Sequence, residues 1–485
     1  LKNKTLLPFC LLTASAFVIL ILPNLLQDGM FTDGVLYAAV AKNLSQGRGT
    51  FWFPHFSETM FSPFFHQQPP LTFGIQALFF KALGTSIYTE RFYSFLTACI
   101  TGWVLAALWK EIEKHNKEIQ NLSWFAVFTW ISIPVCFWSY SNNMEENTMG
   151  VFTAWSVLLI YRGLNRTDSS VFGYLIAGAC AAVLASLCKG FPGLFPLAIP
   201  FLFWLVFRSY SLTRMLLYSA LVTGLSLLIY AFILQNSNAC KSLTAYVNGR
   251  VLNSIRNVAT EEYRLYLIKR LLMELSSPAL LIALLLFIFR RNNIRMNWSN
   301  RIWYKSILFF LLIGLSASLP LLVTLEQRRF YLVPAIPYFS IALCLIAAPG
   351  LSLCLAKIRT ESKGFRLFTA FAVVFLLGGL LFSALQVGKT VRDKDDLDDL
   401  YVLGAAIPPG TVVNVYSKTW DNWALHNYFT RYFNISLASD QRNFDFFIAE
   451  KSLGQVPPAP YRKIPLPTHK YDLYQLQKTI PAPGN

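Results

Sequence analysis

The chain has 485 residues, of which 55% are hydrophobic and only 14% are charged. Soluble domains carry about 25% charged residues, so this composition, with apolar runs of about 20 residues recurring along the chain, excludes an ordinary soluble protein and indicates a polytopic membrane protein. The net charge of +17 would suit nucleic acid, but the basic residues gather in short segments between apolar runs, and that distribution reads as membrane topology with no nucleic-acid partner.

In chain order, the first apolar run, Leu6 to Leu26, follows Lys2 and Lys4. No small-x-small cleavage site precedes Gln27, so the run reads as an uncleaved span and not as a signal peptide. About eleven spans are predicted with a window of roughly 20 residues, near 6–26, 91–109, 122–141, 149–163, 170–188, 191–207, 215–235, 275–290, 303–323, 330–350 and 366–388. One set of connecting segments holds Lys110, Lys114, Arg162, Arg208, Arg290, Arg295 and Lys357, together with Lys2. The positive-inside rule assigns that set, and the N-terminus, to the cytoplasm, and the C-terminal tail to the outside.

Residues 27–90 then form one external loop. Gly34 to Gln46 reads as a short amphipathic helix, and the apolar stretch near 70–83 is too short for a span, so both are predicted to lie at the membrane interface. A second external loop, about 236–274, alternates basic and aromatic residues, among them Lys241, Tyr246, Arg250, Tyr263 and Arg270. It reads either as a surface for anionic headgroups and phosphates or as a helix with a solvated polar face. After Gly388 the sequence turns polar. Strand-like runs at Thr411–Ser417, Asn434–Ala438, Asp445–Ala449 and Tyr471–Leu476 alternate with a helical stretch near Trp420–Tyr432. The acidic run 392–399 lacks the glycine and closing glutamate of an EF-hand and reads as a solvated helix start. The predicted fold class is therefore an all-α polytopic membrane protein with interfacial helices in its first external loop and a small C-terminal α/β external domain. Residues 1–388 form the transmembrane domain and 389–485 the external one.

Four features fall on the external side of this topology. They are Asp33 with Asp28 nearby; Glu145-Glu146 between the third and fourth spans; Lys189-Gly190 between the fifth and sixth; and Glu326-Gln327-Arg328-Arg329-Phe330-Tyr331 between the ninth and tenth. Carboxylates there can take a proton from an acceptor hydroxyl. Lysine and arginine can hold a phosphate as charge develops on it. Each feature also has a plainer reading. Asp33 can cap its helix, the glutamates can be loop charges, Lys189 can snorkel to the interface, and the arginines can anchor headgroups. No Cys-x-x-Cys spacing occurs, the histidines are scattered, and no metal motif is present.

The ordered set resembles the GT-C superfamily of polyprenyl-phosphate-sugar-dependent glycosyltransferases, particularly the lipid A aminoarabinose transferases and the protein O-mannosyltransferases (glycosyltransferase family 39-like). Asp33-Gly34-Val35-Leu36-Tyr37-Ala38 looks like the first-loop Asp motif with its following helix. Gln68-Pro69-Pro70-Leu71 looks like a Lys-Pro-Pro-Leu, and Glu90-Arg91-Phe92-Tyr93-Ser94 like an Ala-Arg-Leu-Pro-Ser. Glu146 stands where the family has an Asp, Lys189-Gly190 matches a Lys-Gly turn, and Arg329-Phe330-Tyr331-Leu332-Val333-Pro334 matches an Arg-Tyr-x-Leu-Pro pattern.

The resemblance implies an inverting membrane glycosyltransferase whose GT-C region is the catalytic domain. Asp33 would be the general base and Glu146 a second catalytic carboxylate. Lys189, Arg328, Arg329 and Gln68 would meet the donor phosphate. Tyr37, Glu145, His66 and Tyr331 would bind substrate. The partners implied are a polyprenyl (undecaprenyl) phosphate-sugar donor, a lipid A, glycolipid or protein acceptor on the periplasmic face of a bacterial inner membrane, and the membrane lipids. Gln68 cannot supply the charge of the family lysine, so phosphate binding is expected to lean on the other cations. A divalent metal is not indicated, and base catalysis without one is expected. The rival reading is a membrane transporter or lipid-sugar flippase. It predicts ionisable groups near the midplane and repeated halves, neither of which the sequence displays.

Overall fold

The computed structural model describes residues 3–256, 260–261, 263–294, 301–440, 442, 444–454, 456–458 and 460–477. Lys2 and Arg295 lie outside the described residues. Two compact units are present. The first comprises Leu1–Leu26, Gln67–Thr72 and Arg91–Gln386; the second comprises Gln27–His66, Phe73–Glu90 and Val387–Asn485.

Among the described residues, eight helices are long and apolar enough to cross a membrane, or nine if a bent pair counts as one span. The protein is thus a multi-pass membrane protein, with fewer full-length spans than the eleven predicted. Three predicted spans account for the difference, each for a local reason. The run near 149–163 belongs to the helix Glu145–Leu164, whose polar first turn lowers its hydropathy. Residues 191–207 divide into a 3-10 stretch, Phe191–Ala198, and a helix, Ile199–Phe207. Pro192 and Pro196 lack the N–H that an α-helix would use there. The run near 122–141 breaks before Pro134, and its two parts, Lys117–Ile131 and Pro134–Tyr140, meet at 81°. The N–H of Val135, freed at this break, donates to the Glu274 carboxylate at 2.9 Å. Glu274 is buried inside the helix Tyr266–Arg291, a carboxylate within a span that hydropathy alone passes over.

Helices Glu145–Leu164 and Ser170–Lys189 pack along each other. Small residues permit the approach, as expected where apolar solvent gives packing no hydrophobic help. A Cβ on Gly178 would lie 2.5 Å from the Ile160 side chain, and the Ser156 hydroxyl donates to the Gly178 carbonyl at 2.7 Å.

The second unit holds a five-stranded mixed sheet in the order β2-β1-β3-β5-β4, formed by β1 (Val412–Val415), β2 (Ser436–Ala438), β3 (Phe446–Glu450), β4 (Tyr461–Ile464) and β5 (Tyr471–Leu476). Strand β1 pairs in parallel with β2 and β3, and β5 runs antiparallel to β3 and β4. Its core includes Leu397, Leu400, Val413, Leu425, Ile448 and Leu473, with Met30 and Val35 from the first loop.

Two expectations are corrected in this unit. The helix Thr32–Ser45 is not an amphipathic surface helix: Gly34 through Asn43 are all buried. Val35, Leu36, Tyr37, Val40 and the three alanines make it apolar on every side, and such a helix belongs inside a protein. Nor is the acidic stretch after Arg392 simply solvated. Asp399 is buried in the helix Lys394–Ala406 and accepts the backbone N–H groups of His469, Lys470 and Tyr471 at 2.6, 2.6 and 2.8 Å.

Buried polar contacts tie the parts of this unit together. The Asp28 carboxylate accepts the hydroxyls of Tyr401 (2.5 Å) and Tyr432 (2.7 Å). The Met30 N–H donates to the Tyr428 hydroxyl, which donates to Asp393, each at 2.9 Å. Arg431 is 2% exposed; it pairs with Glu90 at 2.7 Å and donates to the carbonyls of Thr85 and Ser86. The Lys42 ammonium meets the carbonyls of Thr430 and Arg431 at 3.3 and 2.5 Å. Burial, then the neighbouring Arg431 and Arg48, lowers the Lys42 pKa to about 7.

Candidate functional site

Within the first unit, a cavity of about 370 Å³ is lined by both apolar and charged side chains. Phe195, Ile255, Leu321 and Val323 are among the apolar ones; Gln68, Glu146, Lys189, Arg250, Glu326 and Tyr331 are among the polar and charged ones.

Lys189 is the last residue of its helix because Gly190 turns the chain with φ +83°, a conformation glycine adopts without strain. A side chain at Gly190 would also overlap the Tyr246 hydroxyl, which donates to the Lys189 carbonyl at 3.3 Å. The Lys189 ammonium lies 2.9 Å from Glu146 and 3.4 Å from Glu145, and both glutamates are fully buried. Its other face meets the Tyr331 ring, 5.4 Å from the centroid, a cation–π distance.

The two glutamates open the helix Glu145–Leu164, where the helix dipole favours negative charge. The following residues fix that first turn. Asn147 exchanges hydrogen bonds with Ser139 (2.6 and 3.0 Å), and Thr148 and Tyr93 share a hydrogen bond of 2.6 Å.

A second ion pair also lines the cavity. Arg250, on a π-helical turn Val247–Val251, lies 2.6 Å from Glu326. The Tyr331 hydroxyl donates to the same glutamate oxygen at 3.0 Å. Burial raises the phenol pKa of both Tyr331 and Tyr246. The segment carrying Glu326 is braced on both sides. Leu325 N–H donates to the Ser254 carbonyl (2.9 Å), and Gln327 bonds to Thr260 (2.9 Å) and the Arg264 carbonyl (2.8 Å).

The structure therefore brings Gln68, Glu145, Glu146, Lys189 and Tyr331 together. Arg328 is exposed, and the Arg329 guanidinium stacks over Trp138, 4.7 Å from its ring centroid. Among the described residues lining the cavity, the cations are Lys189 and Arg250. The sequence offers Arg250 only as one of several basic residues in an aromatic loop, and its pairing with Glu326 across 76 positions leaves no local signal.

Asp33, Tyr37 and His66 belong to the second unit. Asp33 is half-buried in the first turn of its helix, whose cap residue is Phe31, so it is not the N-cap. Tyr37 is buried, its ring 6.1 Å from that of Phe73. His66 is half-buried beside Phe53 and Phe64, and burial lowers its imidazole pKa. Among the described residues no group of three or more His, Cys, Asp or Glu could hold a metal ion.

The helical membrane body with its small mixed sheet is the GT-C fold. The chain superposes on the crystal structure of ArnT from Cupriavidus metallidurans bound to undecaprenyl phosphate with a TM-score of 0.66 and 12% identity, over 95% of this chain and 96% of that one. The apo form of the same protein gives 0.63, also at 12% identity, over 95% of each chain. The archaeal oligosaccharyltransferase AglB from Archaeoglobus fulgidus, in complex with an inhibitory peptide and a dolichol-phosphate, gives 0.51 at 13% identity, over 92% of this chain and 69% of that one. In sequence, residues 67–233 match the family described as dolichyl-phosphate-mannose-protein mannosyltransferase. No curated protein sequence matches it.

Proposed function

We propose that the protein is an integral membrane glycosyltransferase of the GT-C type. It transfers one monosaccharide from a polyprenyl (undecaprenyl) phosphate to a lipid A, glycolipid or protein acceptor on the periplasmic face of a bacterial inner membrane. The N-terminus is cytoplasmic and residues 389–485 form the periplasmic domain. The observation that carries this reading is the mixed lining of the cavity. Its apolar side chains suit a prenyl chain, and Lys189 and Arg250 suit a phosphate. The family match over residues 67–233 and the fold shared with a protein crystallised on undecaprenyl phosphate support the same substrate class.

In this mechanism the acceptor hydroxyl attacks the anomeric carbon from the face opposite the phosphate. The bond from that carbon to the phosphate oxygen breaks, and its electron pair stays with the phosphate. Asp33 takes the hydroxyl proton, and the anomeric configuration inverts. The transition state has oxocarbenium character, by analogy with glycoside hydrolysis. Lys189 and Arg250 meet the singly charged donor phosphate, Gln68 donates to it, and Tyr331 holds Lys189 and Glu326 in position. Glu145 and Glu146 orient Lys189 and the sugar. Tyr37 and His66 are assigned to the acceptor side, and Arg328 and Arg329 to the approach of the lipid headgroup.

The test is mass spectrometry of membrane lipids and envelope glycans from cells expressing the protein or its Asp33→Asn variant at equal abundance. Loss of a positioned general base costs about 10²–10⁴-fold in rate. One sugar should therefore disappear from a glycolipid or glycoprotein while its polyprenyl-phosphate donor accumulates. Unchanged glycans and an unchanged donor pool would refute Asp33 as the base.

A further inference from the structure

Among the described residues lining the cavity, no cation is left unengaged for an incoming phosphate. Lys189 is held by Glu145 and Glu146, and Arg250 by Glu326. Among the described residues here, two cations thus stand against three carboxylates, and the neighbouring phenols of Tyr246 and Tyr331 carry no charge once burial has raised their pKa values. Such a balance suits a weakly charged anion and opposes a strongly charged one.

The proposed reaction changes the charge of its lipid ligand. The donor is a phosphodiester with one ionisable oxygen and a single negative charge. Breaking the sugar–oxygen bond leaves a phosphomonoester, which carries about −1.5 to −2 charges near pH 7 because its second pKa is about 6.

Resting on the reading above, we propose that Glu326 is a specificity-determining residue: by keeping Arg250 neutralised, it makes the cavity favour the singly charged phosphodiester donor over the doubly charged phosphomonoester product. The geometry gives Glu326 no easy retreat. One of its oxygens accepts from Arg250 at 2.6 Å and from Tyr331 at 3.0 Å. Its neighbours Leu325 and Gln327 are tied by hydrogen bonds to the segment from Ser254 to Leu267. The carboxylate therefore stays beside the phosphate site and competes with any anion for Arg250. Competition of this kind costs a dianion more than a monoanion, so the product is expelled where a site built of cations alone would retain it.

The experiment uses the full chain purified in detergent and two probes, undecaprenyl monophosphate and its methyl diester, which keeps one charge at every pH tested. Kd is measured for each between about pH 5.5 and 8, a window that spans the monoester's second ionisation. The expected result is that monoester affinity falls several-fold as pH rises, while diester affinity holds. The diester also serves as control for any effect of pH on the protein itself, which would move both probes. In Glu326→Gln the monoester should tighten about tenfold, the equivalent of one charge interaction, with a far smaller change for the diester. A monoester that binds more tightly at higher pH in the unaltered protein would overturn the proposal. So would a Glu326→Gln variant that shifts both probes equally, the behaviour of a purely structural brace. The pH series on the unaltered protein decides the matter even where the variant fails to fold. Failure of the unaltered protein to bind either lipid would instead remove the glycosyltransferase reading itself.

Discussion

Replacing Arg431 by methionine is expected to destabilise the second unit more than any other single truncation of a side chain described above. The guanidinium is 2% exposed and its partner Glu90 is 3% exposed, at 2.7 Å. Methionine keeps most of the volume, so the loss is electrostatic. Removing one member of a buried ion pair costs about 3–5 kcal/mol, because the other charge stays buried without compensation. The carbonyls of Thr85 and Ser86, which also accept from Arg431, lose donors at about 1–3 kcal/mol for each one left unsatisfied. A loss of about 5 kcal/mol or more follows. Near 2–4 °C per kcal/mol for a unit of this size, the thermal midpoint should fall by roughly 10 °C. The assay is tryptophan fluorescence during heating of the detergent-purified protein. The double variant Arg431→Met/Glu90→Gln removes the uncompensated charge and should recover about 3 kcal/mol of the loss. A midpoint within about 2 °C of the parent, or a double variant no more stable than the single, would refute the assignment of the cost to a buried charge.

Lys42 makes stability depend on pH in a definite direction. Its ammonium gives up its proton near pH 7 when folded but near 10.4 in the unfolded chain, so between these values the unfolded state binds more protons and stability rises with pH. A comparison of thermal midpoints from pH 6 to 9.5 should find a steeper rise in the parent than in Lys42→Met, and parallel curves would sink the argument. Asp399→Asn keeps the shape but presents an amide where the carboxylate accepts three backbone N–H groups; the expected cost is about 2–4 kcal/mol, read as faster hydrogen exchange at residues 469–471. Gln68→Lys adds a cation to the cavity lining. It should tighten undecaprenyl monophosphate about tenfold and slow multiple-turnover transfer, with single-turnover transfer spared; a weaker Kd would contradict the charge balance drawn above.

The membrane class and the order of the site segments were legible in the sequence because each depends on local composition. Ser170–Lys189 is apolar throughout and ends at a Lys-Gly pair, so both the span and its turn can be read directly. What escaped reading depends on partners distant along the chain. The Thr32–Ser45 helix looks amphipathic when Lys42 and Asn43 are counted as solvent-facing. Both are buried, Lys42 on the carbonyls of residues 430–431 and Asn43 on that of Phe56. Asp399 sits in a run of acids that reads as solvated, yet it holds a strand entry 70 positions away. Strand β4, Tyr-Arg-Lys-Ile, is a partly exposed edge with no apolar alternation to reveal it. Pro134 was visible, but the 81° bend and the Glu274 carboxylate that serves the freed N–H were not.

The bridge between Asp28 and Thr390, with the Asp28 N–H donating to the Lys389 carbonyl at 2.7 Å, joins residues that are synthesised far apart in time. Asp28 follows the first span directly; Lys389 follows the last. Val35 of the helix bearing Asp33 shares a core with residues such as Leu397 and Leu473, which are translated only after the span Lys363–Ala384. Throughout membrane insertion the first loop must therefore wait, unburied, beside a bilayer that its apolar side chains would also suit. A nascent chain arrested after its final helix would be threaded through the membrane but unable to close this loop. Chaperone or protease surveillance during assembly should accordingly act on residues 27–66, and release should coincide with arrival of the C-terminal strands.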